Sequence, residues 1–173
     1  MSDPLAFFIS FACYGARLQG DERGTVDRAH NVFDTPVLPP DPNLEAARRA
    51  AMKHPAYELA EDRPAVVLAG IASVADKRGC HIWAAHVRTQ HVHAVVTAAG
   101  ADIDRVLAGL KAAASFRLNR AYPADRGRPF WARHGSTRYV WNEVQLATVI
   151  DYVLNRQGEP MAVFRHPDPP RTV

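Results

Sequence analysis

The stretch Thr89-Gln90-His91-Val92-His93-Ala94-Val95-Val96-Thr97 constrains the fold more than any other part of the chain. In a strand, side chains alternate between faces, so His91 and His93 share one face while Val92, Ala94 and Val96 share the other. The apolar set has to be covered by other elements. Two imidazoles side by side make half of a metal site. They can equally be surface histidines on an edge strand, or one core histidine with an incidental neighbour. The rest of the chain decides between these readings.

Upstream, Leu5 to Cys13 is aromatic and β-branched and apolar at nearly every position, which predicts a central strand covered on part of both faces. It is preceded by Asp3 rather than by basic residues and offers no cleavage site, so it reads as a first strand and not as a signal peptide. Tyr14-Gly15 ends it. Gln19 to Gly24 is turn-rich, and the stretch through Pro36, Pro39, Pro40 and Pro42 is extended and irregular. Asn43 is a candidate cap for a short helix to about Lys53, stopped by His54-Pro55. A second helix is predicted from near Asp62, with Pro64 in its first turn, to about Lys77, and Gly79 supplies its stop.

His81 to Val87, the polar Arg88-Thr89-Gln90 and the His91 strand then form an antiparallel hairpin. The break means that His86 need not share a face with His91. Asp102 or Asp104 caps a long helix to about Ala121. Arg128 to Trp141 reads as extended structure around a turn at Gly135-Ser136. Asn142 and Gln145 form a capping box that opens a helix to about Arg156, closed by Gly158 and Pro160. Met161 to Phe164 is a short last strand, and Pro167 to Val173 a loose tail. The first elements follow the β-α-β-β-α layout of a ferredoxin-like α+β domain: an antiparallel sheet with helices on one face and the other face open. If Val92, Ala94 and Val96 lie under the helices, His91 and His93 stand on the open face.

A chain of 173 residues suits one domain, here residues 1–166 followed by the tail, with room for a sizeable core. No apolar run approaches the roughly 20 residues that cross a bilayer. Cys13 and Cys80 lack disulfide or zinc spacing, so a cytoplasmic protein with two buried thiols is expected. The net charge of +3 is unevenly spread. Between Arg105 and Trp141 the cations Arg105, Lys111, Arg117, Arg120, Arg126, Arg128, Arg133 and Arg138 face only Asp125, a net +7 that leaves −4 for the remainder. Such a window, mostly arginine, suits contact with a phosphate backbone. A solvated basic face is the plainer alternative.

Two neutral imidazoles favour a divalent metal but need a third donor. The His-x-His-x-Asp-His hydrolase pattern fails because Ala94 and Val95 follow His93, and there is no second His-x-Thr element. On the last helix, Leu146, Ala147, Val149, Ile150, Val153 and Leu154 make one broad apolar side. Tyr152 falls outside it, where packing does not require a tyrosine. Tyr139 is the reserve candidate, in extended and aromatic surroundings.

The His91-Val92-His93 pair after a hairpin, a long helix, and then Asp151-Tyr152-Val153-Leu154-Asn155-Arg156-Gln157 together resemble the single-tyrosine HUH transposases. These include the IS200-like group and the group associated with repetitive extragenic palindromes. The resemblance implies a ferredoxin-like nuclease domain, with its catalytic site on the open face, that acts on single-stranded DNA at hairpins with Mg²⁺ or Mn²⁺. It implies that His91, His93 and an amide hold the metal on the scissile phosphate, and that Tyr152 attacks to give a 5′-phosphotyrosine and a free 3′-hydroxyl. A phenol suits this role, because a nearby metal and cations favour its ionised form. The eight cations of the basic window would contact the DNA. The family often works as dimers, and a bacterial-type cytoplasmic setting, with the nucleoid as its place of action, goes with the resemblance.

Two positions depart from the family pattern. Arg88-Thr89-Gln90 replaces a Pro-Asp or Pro-Asn turn, and the metal-binding amide usually lies four residues after the tyrosine, where this chain has Arg156. On a regular helix Asn155 lies about 60° from Tyr152 and Gln157 about 140°. Geometry favours Asn155, while the likeness of Gln157-Gly158 to the family's terminal amide favours Gln157, with a bulged or unwound last turn. Beside a metal-dependent DNA transesterase, two readings stay open. One is a catalytically impaired module that binds single-stranded or hairpin nucleic acid. The other is a small metal-dependent hydrolase using His91, His93 and His86.

Overall fold

The computed structural model describes residues 3–22, 38–78 and 80–168. The expected features at Gly24, Pro36 and Gly79, and the end of the tail, lie outside the described residues. Strand β1 (Ala6–Cys13) is followed by helices α1 (Pro42–Ala50) and α2 (Arg63–Arg78), then the hairpin β2 (His81–Val87) and β3 (His91–Thr97). Helix α3 (Ile103–Ala121), a 3₁₀ turn at Pro123–Asp125, strand β4 (Trp131–Val140), helix α4 (Glu143–Asn155) and strand β5 (Ala162–Arg165) complete the order. The strands form one antiparallel sheet in the order β4-β1-β3-β2-β5. Its first four strands have the ferredoxin-like order, with β5 added beside β2. The expected α+β class holds.

Sequence chemistry explains most of the boundaries. The first helix is capped by Asp41 rather than Asn43: its carboxylate accepts from the Asn43 and Leu44 amides, with Pro42 in the first turn. Asp102 caps α3, accepting from the Asp104 amide. At α4, Asn142 accepts from the Gln145 amide at 2.9 Å, and the Gln145 side chain accepts from Trp141 N–H at 2.8 Å. The box therefore closes one residue earlier than its usual form.

The main core lies between the sheet and α2 and α3. Phe7, Ile9, Phe11, Val92, Ala94, Val96, Ala85 and Val87 project into it from three strands and meet Val67, Ile71, Leu110, Ala114 and Leu118. Cys13 and Cys80 are both buried and unoxidised, and burial pushes the Cys13 thiol up to about 12. A smaller second core lies on the opposite face, where Leu146, Val153 and Leu154 of α4 pack on Ala6, Ala84, Val95 and Val140. Helix α4 thus lies across part of the face that the histidines occupy. That placement builds the site.

Two close approaches depend on glycine. A Cβ at Gly70 of α2 would stand 2.8 Å from the Ala113 carbonyl oxygen and 2.9 Å from Ala114 Cα, both backbone of α3. Gly70→Ala should therefore force the helices apart and cost about 1–3 kcal/mol, read as a lower urea midpoint. A variant as stable as the wild type would show that the helix pair gives way freely. At Gly135 a Cβ would meet the Ser10 carbonyl oxygen at 2.7 Å and Leu107 of α3 at 3.0 Å. This corrects the expected Gly-Ser turn. Gly135 and Ser136 lie inside the continuous strand β4, opposite Phe11 and Ser10. The glycine is there for clearance, and turn chemistry alone does not distinguish the two roles.

Candidate functional site

Strand pairing sets out the site in rows. Ser10 of β1 lies opposite His93 of β3, and His93 lies opposite His86 of β2, so all three side chains belong to one face. Phe8, Val95 and Ala84 form the next row on that face, flanked by Arg138 of β4 and Arg165 of β5. His91 stands one row further along, with ring centroids of His91 and His93 4.8 Å apart. Both rings are half-buried. The backs of these strands, Val92, Ala94 and Val96, are 0% exposed in the main core. The alternation expected from sequence therefore holds.

Tyr152 reaches this face from α4. Its ring meets His93 edge-on at 6.0 Å and Phe8 at 5.9 Å, while Phe8 stacks on His93 at 5.4 Å. Tyr152 remains 40% exposed. It sits at the margin of the packed side of α4, touching the histidine face with one edge and open to solvent with the other. Tyr139 is elsewhere: it contacts Phe7, a residue of the main core, and stacks on Trp141.

The two amide candidates are held differently. Asn155 Nδ2 donates to Asp151 Oδ1 at 2.8 Å, and Arg156 Nε donates to the other oxygen at 2.8 Å. These two bonds hold the Asp151 carboxyl below its ordinary range. Gln157 lies beyond the end of α4, and its Nε2 donates to the Tyr152 carbonyl at 3.4 Å. Its backbone carbonyl accepts from Arg88, which also donates to the Glu159 carbonyl at 3.0 Å. Arg88 lies in the turn that leads to His91, so it ties the Gln157 segment to the histidine strand. The Gln157 amide spends a donor on the helix end and keeps its oxygen as an acceptor.

His86 is fully buried, with both ring nitrogens engaged. Nδ1–H donates to the Val153 carbonyl at 3.1 Å, and Nε2 accepts from the Met161 amide at 3.2 Å. An imidazole bonded in this way is neutral and has no lone pair left for a metal. It instead fastens α4 and the approach to β5 onto β2. Sequence left His86 open as a ligand; its partners come from α4 and from the segment before β5, which a linear reading cannot pair.

Among the described residues, no three His, Cys, Asp or Glu side chains gather as a metal cluster. His91 and His93 are neighbours on this face and could hold a divalent ion if an amide oxygen joined them in a neutral nitrogen–oxygen set. Burial, reinforced by His91, His86 and Arg88, lowers the His93 pKa to about 3. Burial also lowers His86 and His81. A folded-state pKa below the unfolded value of about 6.5 gives stability that is complete above pH 6.5 and is lost as pH falls toward the folded value. The metal-free protein should lose about 1.5 kcal/mol through His93 between pH 6.5 and 5. Urea midpoints across that window would show it, and His93→Gln should flatten the profile.

The basic window does not surround the histidines. Arg105, Arg117 and Arg120 are exposed on α3, which packs on the other face of the sheet. Arg105 is paired with Asp102, and Arg120 lies over Phe116. Arg126 Nε donates to the Asn119 carbonyl of α3. Arg128 pairs with Asp125 and lies over Tyr57. Lys111 donates to the Ala132 and His134 carbonyls at 2.9 and 3.1 Å, and burial pulls its ammonium below the ordinary lysine range. Arg133 is exposed, in the part of β4 where the pairing register with β1 shifts. Only Arg138 of the eight has a strand position on the histidine face, opposite Phe8. The other cations near that face, Arg88 and Arg165, come from segments whose charge is unremarkable in sequence. Ser10 was also missed, although it is the one hydroxyl in an otherwise apolar strand.

The family model for IS200-like transposases matches residues 58–156, more than half of the chain. Sequence comparison with curated proteins finds no match. Among solved structures, a protein of Deinococcus radiodurans R1 described as a candidate transposase superposes with a TM-score of 0.51 at 16% identity, covering 90% of this chain and 93% of the other. A REP-associated tyrosine transposase bound to a REP hairpin gives a TM-score of 0.51 at 12% identity, covering 88% of this chain and 66% of the other. At these identities the structural likeness shows the fold. No described helix is long and apolar enough to cross a membrane.

Proposed function

The chain belongs to the IS200-like transposase family, and we propose that it cleaves and rejoins single-stranded DNA at hairpin-associated sites, using Tyr152 as the nucleophile. The observation that carries this reading is the meeting of Tyr152 with His93 at 6.0 Å, on a face where His91 lies 4.8 Å from His93. The structural likeness to a transposase seen with a REP hairpin supports hairpin DNA as the substrate class.

His91, His93 and the Gln157 amide oxygen would hold Mg²⁺ or Mn²⁺. Bound there, the ion would supply Lewis-acid stabilisation of the charge that develops on the scissile phosphate. The Tyr152 oxygen attacks phosphorus and gives up its proton, and the leaving 3′-oxygen takes one up, so that no net proton is gained or lost. A bond forms between that oxygen and the 5′-phosphate, the bond to the 3′-oxygen breaks, and the departing strand leaves with a 3′-hydroxyl. Attack by another 3′-hydroxyl reverses these steps and joins strands, so phosphodiester energy is conserved. Arg138, on the same face opposite Phe8, would contact a backbone phosphate.

Incubation with hairpin-bearing single-stranded DNA and Mg²⁺ or Mn²⁺ tests the proposal. A protein–DNA adduct that survives denaturation and disappears with chelator is expected. Binding without an adduct, over several hairpins and both metals, would overturn the enzyme reading in favour of a binding module.

A further inference from the structure

Ser10 is half-buried on the histidine face of the sheet. It is the single hydroxyl in β1, whose sequence is AFFISFAC, and it lies directly opposite His93 across the sheet. Its Oγ stands 2.7 Å from His93 Nδ1. A half-buried hydroxyl in an apolar strand costs free energy unless it is bonded, and the imidazole is the partner that the register supplies. The ring is further confined by Phe8 stacked on it at 5.4 Å and by the edge of Tyr152 at 6.0 Å. His93 therefore has one orientation, with Nδ1 toward Ser10.

The consequence concerns the location of the single proton of the neutral ring. If Ser10 donates to Nδ1, the proton sits on Nε2 and the ring offers no lone pair away from β1. If Nδ1–H donates to Ser10, Nε2 is free to act as a ligand. Metal-ligating histidines are commonly oriented in this way by an acceptor on the second nitrogen. We infer that Ser10 is a positioning residue: its hydroxyl accepts from His93 Nδ1–H and aims the Nε2 lone pair at the divalent cation of the Tyr152 site. This rests on the metal reading given above, and it assigns a function to the strand farthest in sequence from Tyr152.

The test combines two measurements on Ser10→Ala and Ser10→Thr. In the wild type without metal, histidine ¹⁵N spectra should show His93 as the Nδ1–H tautomer. Ser10→Ala should give a tautomer mixture and weaken Mn²⁺ binding, measured by calorimetry, by about ten- to a hundredfold. Ser10→Thr, which keeps the hydroxyl, should restore both. An unchanged tautomer and Mn²⁺ affinity in Ser10→Ala would overturn the proposal, as would a wild-type His93 protonated at Nε2. A wild type with the Nδ1–H tautomer that is lost in Ser10→Ala, but with no Mn²⁺ affinity, supports the orienting role of Ser10 and overturns the metal reading instead.

Discussion

Tyr152→Phe is expected to abolish the covalent protein–DNA adduct and to reduce strand cleavage by on the order of 10³-fold or more, because the variant has no oxygen with which to attack phosphorus. Phenylalanine keeps the ring that meets His93 and Phe8 edge-on, so folding and DNA affinity should change little. This separates chemistry from binding. The measurement is adduct yield on denaturing gels beside a binding isotherm for the same hairpin. An adduct of undiminished yield would remove Tyr152 from the mechanism and direct attention to Tyr139. Loss of DNA binding together with the adduct would show that the hydroxyl recognises DNA rather than attacking it.

The second large effect is on stability and lies away from the histidines. Asp125 is 9% exposed and accepts from the Tyr57 hydroxyl at 2.9 Å and from Arg63 Nη2 at 3.2 Å, with Arg128 3.7 Å away. Arg63 also donates to the Tyr57 oxygen and lies over the Tyr122 ring, while the Tyr122 hydroxyl donates to Asp62. These groups join the start of α2, the end of α3 and the segment that carries Tyr57. Asp125→Ala removes the shared acceptor and leaves Arg63, only 21% exposed at its side chain, without its main counter-charge. Breaking a largely buried pair from one side costs about 3–5 kcal/mol, and the remaining exposure places the expected loss near 3. Chemical denaturation would measure it. Tyr57→Phe, which removes one hydrogen bond and keeps the ring, should cost only about 1 kcal/mol. A loss below 1 kcal/mol for Asp125→Ala would mean that water replaces the carboxylate at little cost.

Local chemistry made much of the architecture legible from sequence. Period-2 alternation placed Val92, Ala94 and Val96 in the core and the two histidines outside it, because strand geometry admits no other division. Caps, prolines and glycines marked the helix ends to within a few residues. The Gly135-Ser136 segment was misread because glycine serves both turns and close contacts, and the contact that decides the matter comes from Ser10 and Leu107, distant in sequence. The basic window from Arg105 to Trp141 was real as a charge count and misleading as a surface. Adjacent residues on α3 and β4 share a stretch of chain, but the sheet stands between most of them and the histidine face.

The sequence by itself determined the sheet faces and the element order, since each depends on residue type and short-range periodicity, and it offered the histidine pair and Tyr152 as candidates. Tertiary structure alone decided what meets what. Packing of Leu146, Val153 and Leu154 against Ala84 and Val95 brings α4 onto the histidine face and sets Tyr152 beside His93. Strand register pairs Ser10 with His93 and places His86 where the Val153 carbonyl and the Met161 amide take both its nitrogens. Such pairings depend on register and on helix docking. Contributions spread over many buried groups set these, and no local pattern along the chain encodes them.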